Sequence, residues 1–440
     1  MNSKENIVKK TKELLHKLPP ILEDRELLPF VRSFTERSSE LLKISADKGS
    51  PLWLIETDLL EKRALHFLRA FRNEIGEVDA FYAMKSNNHP AVADCLIQAG
   101  MGLDVSGGPE LELALLLGCK RILFSGPGKN DAELRLALAN KERVTILMDS
   151  FTELRRISQM ACEQGIQMKA GIRLTTQEKG LWRKFGIPLS ALKDFLNEAE
   201  KTGNVKISGL QFHTSWNLNP SAQTAFIARL GNCLKMLDEK YPAALEFIDI
   251  GGGYWPEQGE WLQREGTPGG QLQRLLSPES PRMGGRYRYE SMPIEKFASD
   301  IGNALREHIF PLLSCRIYTE PGRWICNDAM HLLMKVLDKK ADDIVISDAG
   351  INNIGWERFE TDYFPVINLS RPGLCERECY VFGCLCTPHD IWGYTYFGHG
   401  IETGDILLIP CQGAYTYSLG QQFIKPVAKC VLTNFSRHCL

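Results

Sequence analysis

The sequence predicts an α/β chain, a (β/α)8 barrel followed by a mainly β C-terminal domain, on three observations. First, short apolar runs alternate with amphipathic stretches of helical length from PLWLIE onward, the pattern of βα units around a parallel sheet. Second, eight strand candidates follow the first helical stretch, and eight such units close into a barrel more often than they form an open sheet. Third, beyond about Trp324 the helical patterns stop and runs such as DDIVISDAG, CYVFGCLC and GDILLIPCQGAY follow one another as strands and turns.

In chain order the barrel strands are VDAFYAMKS, MGLDVS, RILFSG, VTILMDS, MKAGIRL, ISGLQFH, LEFIDIGGG and CRIYTEPGR. Between them lie helical patterns such as AVADCLIQAG, DAELRLALAN and FTELRRISQMACEQG. The Gly/Pro/Arg-rich stretch between Gly253 and Pro293 breaks the rhythm and reads as a long loop or lid before the last barrel helix. The expected division is a helical or extended segment over 1–50 packing on the β domain, the barrel over 51–323, and the β-rich domain over 324–440.

Composition narrows the function. The chain has 440 residues, 44% of them hydrophobic and 24% charged, with a formal net charge of -2. That balance gives no electrostatic footprint for nucleic acid or an anionic membrane. No run approaches the roughly 18 apolar residues of a membrane span, and the N-terminus lacks the apolar core of a secretory signal. A cytoplasmic protein is expected. Thirteen scattered cysteines favour reduced thiols over a disulfide framework. Cys375, Cys379, Cys384 and Cys386 cluster, but paired CxxC spacing is absent and two of them sit in a strand-like run, so no metal is expected.

Barrel enzymes place their chemistry at the C-terminal ends of the strands. Here those ends carry Lys85, Asp104 with Ser106, Asp149, Arg173, His213, the run Gly251-Gly252-Gly253, and Glu320 with Arg323. Lys85 follows four apolar or aromatic residues, walls that lower a lysine's pKa and make it nucleophilic toward a carbonyl. A strand-end lysine reaching water is the plainer alternative. Three glycines ending the seventh strand offer unobstructed N–H groups to a phosphate, where barrels commonly bind one. Arg323 in EPGR can add a charge-assisted contact to it. Glu320 suits the nitrogen of a pyridine ring, and His213 suits its face; the alternatives are a rim salt bridge with Arg323 and a satisfied core histidine.

Seven separated motifs, FYAMKSN, LDVSGGPE, FH, DIGGG, EPGR, GCLCTPHD and GAY, stand in one order that resembles the fold-type III pyridoxal-phosphate (PLP) decarboxylases. This is the ornithine/diaminopimelate decarboxylase group, related to alanine racemase, and the resemblance runs from about Pro51 to Lys425. It implies pyridoxal 5'-phosphate as cofactor and decarboxylation of an amino acid. It implies Lys85 as the Schiff-base lysine, His213 stacked on the ring, Glu320 on the ring nitrogen and Arg173 beside the ring. Gly252, Gly253, Arg323 and Tyr415 hold the phosphate, and Cys386 helps protonate the carbanion. Asp348 and Asp390 match positions near the substrate's distal end. The cysteine segment enters the partner's site in this family, so a homodimer with shared active sites is implied.

Two departures bear on function. The family's Gly-Ser pair after the stacking histidine is replaced in FHTSWN, where Ser215 takes the phosphate from a shifted position or leaves it. Directly after the cysteine, diamine-forming members carry aspartate and diaminopimelate decarboxylases glutamate; here stands Thr387. The Cys-Thr-Pro pattern resembles the branch acting on conjugated amino acids, including siderophore intermediates in which citrate is amide-linked to a diamino acid. Arg358 is then a carboxylate contact in DAGINNIGWERFE. The rivals are a diaminopimelate, ornithine or carboxynorspermidine decarboxylase, an amino-acid racemase, which Glu320 disfavours, and a non-catalytic homologue acting as a binding protein.

Overall fold

The computed structural model describes residues 3–16, 18–277, 285–355 and 361–434, which fall into two compact units. One comprises residues 58–257 and 292–326, the other 1–57, 258–291 and 327–440.

The first unit is the barrel expected from the sequence. Its strands are β1 (Val78–Ala83), β2 (Gly102–Val105), β3 (Ile122–Phe124), β4 (Val144–Met148), β5 (Met168–Leu174), β6 (Val205–Phe212), β7 (Phe247–Gly252) and β8 (Arg316–Glu320). They pair in parallel in that order, and β8 closes onto β1. A parallel strand covered on both faces reads as a near-continuous apolar run, and VDAFYA, interrupted only by Asp79, is buried throughout. Phe81, Leu123, Leu147 and Phe247 fill the interior, with Tyr318 stacked on Phe247 at 4.4 Å. That layer needs Gly209, because a Cβ there would meet the Phe247 ring at 2.2 Å.

Helix starts follow local chemistry. Asn130 and Glu133 form a reciprocal capping box at the helix Asp131–Ala139. Ser150 accepts from the Glu153 amide at the start of Phe151–Glu163. These caps fix how each chain segment leaves a strand tip, and so where the tip side chains point.

The second unit is built on an eight-stranded sheet. Its order is Ile344–Ser347, Glu376–Phe382, Ile391–Phe397, Ile367–Asn368, Ile406–Ile409, Met330–Ala341, Leu52–Glu56 and Lys429–Thr433. Leu22, Leu27, Val31 and Phe34, on or beside the helix Asp24–Thr35, share one buried cluster with Leu54, Leu333, Phe397 and Leu408 of the sheet. Buried Glu56 accepts from His331 Nε2 at 2.8 Å. The Cys411 amide donates to Nδ1 of the same ring, which puts the imidazole proton on Nε2.

Two boundaries differ from expectation. Leu52–Glu56 pairs antiparallel with Met330–Ala341 and parallel with Lys429–Thr433, so PLWLIE opens the β unit's sheet and not the barrel. An apolar run of five buried residues suits either sheet, and only partners far along the chain decide which. The stretch expected as a lid holds a hairpin of Glu260–Gln263 with Arg286–Tyr289 and a helix, Pro268–Leu276, and it belongs to the β unit. Its Trp261, Leu262 and Tyr287 are buried, a core contribution hidden among glycines and prolines. Among the described residues no helix is long and apolar enough to cross a membrane.

Candidate active site

The inward-facing ends of β1, β2, β5, β6, β7 and β8 bring charged groups together within the barrel unit. Lys85 follows β1 in a single helical turn, and its Nζ lies 3.0 Å from Asp104 of β2. The lysine side chain is about a third exposed and the aspartate fully buried. Burial pushes the Asp104 carboxyl up, and the Lys85 ammonium pulls it back down. The Ser125 hydroxyl donates to the other Asp104 oxygen. Arg173, at the end of β5, donates from Nη1 to the Ser125 carbonyl at 2.8 Å. Its Nε lies 3.9 Å from Asp149, and its guanidinium covers the Phe185 ring at 4.5 Å.

Glu320 ends β8 and is 2% exposed. Gln211 of β6 donates to its Oε1 at 3.1 Å, and His213 Nδ1 faces its Oε2 at 3.3 Å. Burial alone would raise this carboxyl. The His213 hydrogen bond and the positive charges of His213, Lys85 and Arg173 hold it instead at about 2, so it is an anion through the neutral range. His213 itself is pushed down by burial against the pull of Glu320. The Gly252 amide also donates to His213 Nδ1, at 3.2 Å. That nitrogen serves one role at a time: protonated it donates to Glu320, and unprotonated it accepts from Gly252.

The glycine run is required by close approach. A Cβ on Gly252 would lie 2.0 Å from the Glu320 carbonyl oxygen. Gly253 has φ +87, and a Cβ there would lie 2.3 Å from the Thr214 carbonyl. The Asn217 side chain donates to Thr214 Oγ1 at 2.8 Å and to the Gly252 carbonyl at 3.0 Å, tying the loop after β6 to the run. Arg323 opens a short helix directly after β8, its guanidinium 4.2 Å above the Trp255 ring. Ser215 is half-buried, beside Gly253.

The remaining residues singled out in the sequence lie in the β unit. Tyr415 is half-buried with φ 57, a left-handed backbone that few non-glycine residues adopt. Cys386 is exposed, and Thr387 Oγ1 accepts from the His389 amide. Asp348 is half-buried and accepts from the Lys335 amide at 2.8 Å. Asp390 is 1% exposed, and its two oxygens accept from the Ile351 and Leu385 amides at 2.8 and 2.6 Å, so it shapes the cysteine segment from within. Arg358 lies outside the described residues. Among the described residues no group of three or more His, Cys, Asp or Glu side chains is placed to hold a metal.

Several members of the cluster escaped the sequence reading. Gln211 and Asp249 are both fully buried, and they pair in register on β6 and β7. Burial and the neighbouring Glu320 charge push Asp249 well above the usual carboxylate range. Lys129 is wholly buried against Glu153 at 2.8 Å. For Gln211 and Asp249 the available signal was a polar residue inside an otherwise apolar strand.

The family model described as the pyridoxal-binding domain of pyridoxal-dependent decarboxylases matches residues 61–268, the stretch that carries Lys85, Arg173, His213 and the glycine run. Residues 61–268 belong to the pyridoxal-binding domain of the pyridoxal-dependent decarboxylases, and the chain is a PLP-dependent carboxy-lyase. A diaminopimelate decarboxylase of Methanothermobacter thermautotrophicus is 27% identical over 88% of this chain and 86% of its own length. An L-glutamyl-(BtrI acyl-carrier protein) decarboxylase of Niallia circulans is 25% identical over 85% of this chain and 86% of its own. The crystal structure of the Helicobacter pylori diaminopimelate decarboxylase complexed with L-lysine shares the fold, with a TM-score of 0.72 at 24% identity, covering 90% of this chain and 94% of that one.

The barrel fits the family's cofactor on its own terms. It offers a lysine amine beside a buried carboxylate, an anionic carboxylate deep in the barrel, and a glycine run ending β7 with Arg323 just past the neighbouring β8.

Proposed function

We propose that this PLP-dependent amino-acid decarboxylase acts on a conjugated amino acid, specifically a diamino acid amide-linked to citrate. The observation that carries this reading is the cysteine segment, where Thr387 is neutral and both carboxylate oxygens of Asp390 are taken by backbone amides. Such a segment has no free carboxylate to recognise a cationic side chain, as a simple diamine-forming or diaminopimelate enzyme requires. The relative that is named for an acyl-carrier-protein-linked glutamyl group is a member with a conjugated substrate.

When bound, pyridoxal phosphate supplies an aldehyde for an amine and a ring that takes up the electrons left by departing carbon dioxide. In this reading Lys85 Nζ is the amine that binds the aldehyde carbon, and Asp104 at 3.0 Å keeps it oriented and takes part in its protonation. Glu320, an anion, would hold a proton on the ring nitrogen. His213 and Arg173 would lie against the ring. The Gly252 and Gly253 amides, Arg323, Ser215 and Tyr415 would hold the phosphate. Lys85 and Cys386, the latter contributed across a shared site, would carry the proton to the product carbon. A homodimer sharing its active sites is part of the same proposal, and Asp348 lies near the substrate's distal end.

Diaminopimelate is the second reading, favoured by the names of several relatives. One experiment separates them. The PLP-loaded protein is incubated in heavy water with citryl-diamino acids, diaminopimelate, ornithine, lysine and carboxynorspermidine, and products are followed by mass spectrometry. A citryl conjugate that loses carbon dioxide and gains one solvent deuteron is the expected result. Turnover of diaminopimelate alone overturns the conjugate reading, and deuterium exchange with the carboxylate retained points to a racemase.

A further inference from the structure

A cavity of about 270 Å³ opens at the mouth of the barrel unit, walled by Thr176, Trp182, His213, Ser215, Trp216 and Arg229 among others. It shares His213 and Ser215 with the cofactor site and extends away from it toward the helix Ser221–Leu234. Sites that take a whole ligand run to roughly 300–1,000 Å³. This one suits a single arm of a substrate whose reacting end lies at His213.

Its walls have a definite chemistry. No Asp or Glu is among the described residues that line it. Arg229 is exposed, its one hydrogen bond among the described residues is a long one to the Thr176 carbonyl at 3.4 Å, and no carboxylate there pairs with it. The adjoining segment 177–185 adds Lys179, Arg183 and Lys184 against the single acid Glu178. An exposed guanidinium resting 5.2 Å over the Phe226 ring, beside such a basic segment, is suited to receive a carboxylate.

The aromatic wall is equally specific. Trp216 is 62% exposed and holds φ 53, where a bulky residue is a backbone outlier. Packing does not explain the strain, because the ring is not buried. The flanking backbone enforces it: the Asn217 amide donates to the Gly253 carbonyl at 3.0 Å, and the Asn217 side chain is tied to Thr214 and Gly252. The result is an indole held in the open at the rim, at the place where this chain departs from the family's Gly-Ser pair. Strain kept in this way is a feature of binding sites, and exposed large apolar groups beside a cavity mark contact surface.

We propose that this cavity is a subsite for a carboxylate-bearing acyl arm of the substrate, with Arg229 pairing its carboxylate and Trp216 and Trp182 flanking its chain. The proposal rests on the conjugated-substrate reading but uses residues that reading does not invoke. It assigns Trp216 and Arg229 as specificity determinants.

The test titrates citrate into the PLP-loaded enzyme by calorimetry, comparing the native chain with Arg229→Gln and Trp216→Gly, each checked for an unchanged cofactor absorbance band. Saturable binding that weakens at least tenfold in Arg229→Gln and severalfold in Trp216→Gly is expected. With a citryl-diamino acid as substrate, Arg229→Gln should raise KM at least tenfold and leave kcat within twofold. No saturable binding to the native enzyme, or equal affinity in all three proteins, overturns the subsite. Arg229-dependent citrate binding without turnover of any citryl conjugate supports the subsite and sinks the substrate reading. Turnover with an unchanged KM in Arg229→Gln does the reverse.

Discussion

Replacing Glu320 with glutamine removes the one charge that the surrounding cations most favour. Its carboxyl is held at about 2, against 4.5 for an ordinary glutamate. The interaction is mutual, so the anion favours positive charge on its neighbours. Those neighbours are His213, Lys85 and Arg173, and the protonated ring nitrogen once the cofactor is in place. Glutamine keeps the shape and the Gln211 contact but supplies no charge. Removing one preorganised group aimed at charge that develops in the reaction costs on the order of 100-fold in rate, so Glu320→Gln should lower kcat about 100-fold. The assay is carbon dioxide release at saturating substrate, with cofactor content fixed by absorbance. A loss below threefold at full occupancy would refute the electrostatic role. The pH dependence adds a check on sign. A depressed carboxyl contributes stability that is complete above its unfolded value of 4.5 and is lost as pH falls through about 2. Any acid limb of activity above pH 4.5 therefore belongs to another group and should persist in Glu320→Gln.

Three further outcomes follow from the geometry. Gly252→Ala places a Cβ 2.0 Å from a carbonyl oxygen that cannot retreat, and should lower both melting temperature and cofactor retention, read by thermal shift and absorbance. Lys129→Met should cost about 3–5 kcal/mol in urea unfolding, because it leaves Glu153 buried without its ion-pair partner. The double variant with Glu153→Leu should recover most of that, and an equally large loss in the double would show that packing dominates. Asp390→Asn turns an amide NH2 toward backbone N–H groups, and should destabilise by about 1–3 kcal/mol while leaving KM within twofold. A large KM effect without loss of stability would return Asp390 to the substrate's side.

The barrel was legible because its information is local. Each strand is a short apolar run, each helix has its own period and cap, and Asn130 with Glu133 announces one start outright. Lys85, Arg173, His213, Glu320 and the glycine run were legible for a related reason, since they close strands whose ends are visible as the point where apolar residues stop. Asp249 and Gln211 were not, because a polar residue inside a strand shows its importance only when a neighbouring strand places Glu320 beside it.

The β unit was harder to read. Leu52–Glu56 finds its partners at Met330–Ala341 and Lys429–Thr433, and nothing within its own five residues distinguishes that sheet from the barrel. The hairpin of Glu260–Gln263 and Arg286–Tyr289 looked like a loop because glycines and prolines surround its buried residues. The motif position of Asp390 is seen in sequence, whereas its two amide donors are seen only in space. The sequence by itself thus determined the barrel and the charged residues at its strand tips, all encoded in short-range patterns. Only the tertiary structure decided which carboxylates are tied to backbone amides, how Glu320 is kept an anion, and that Trp216 is held open near Arg229. Those properties arise from burial and from neighbours distant in the chain, which no local pattern carries.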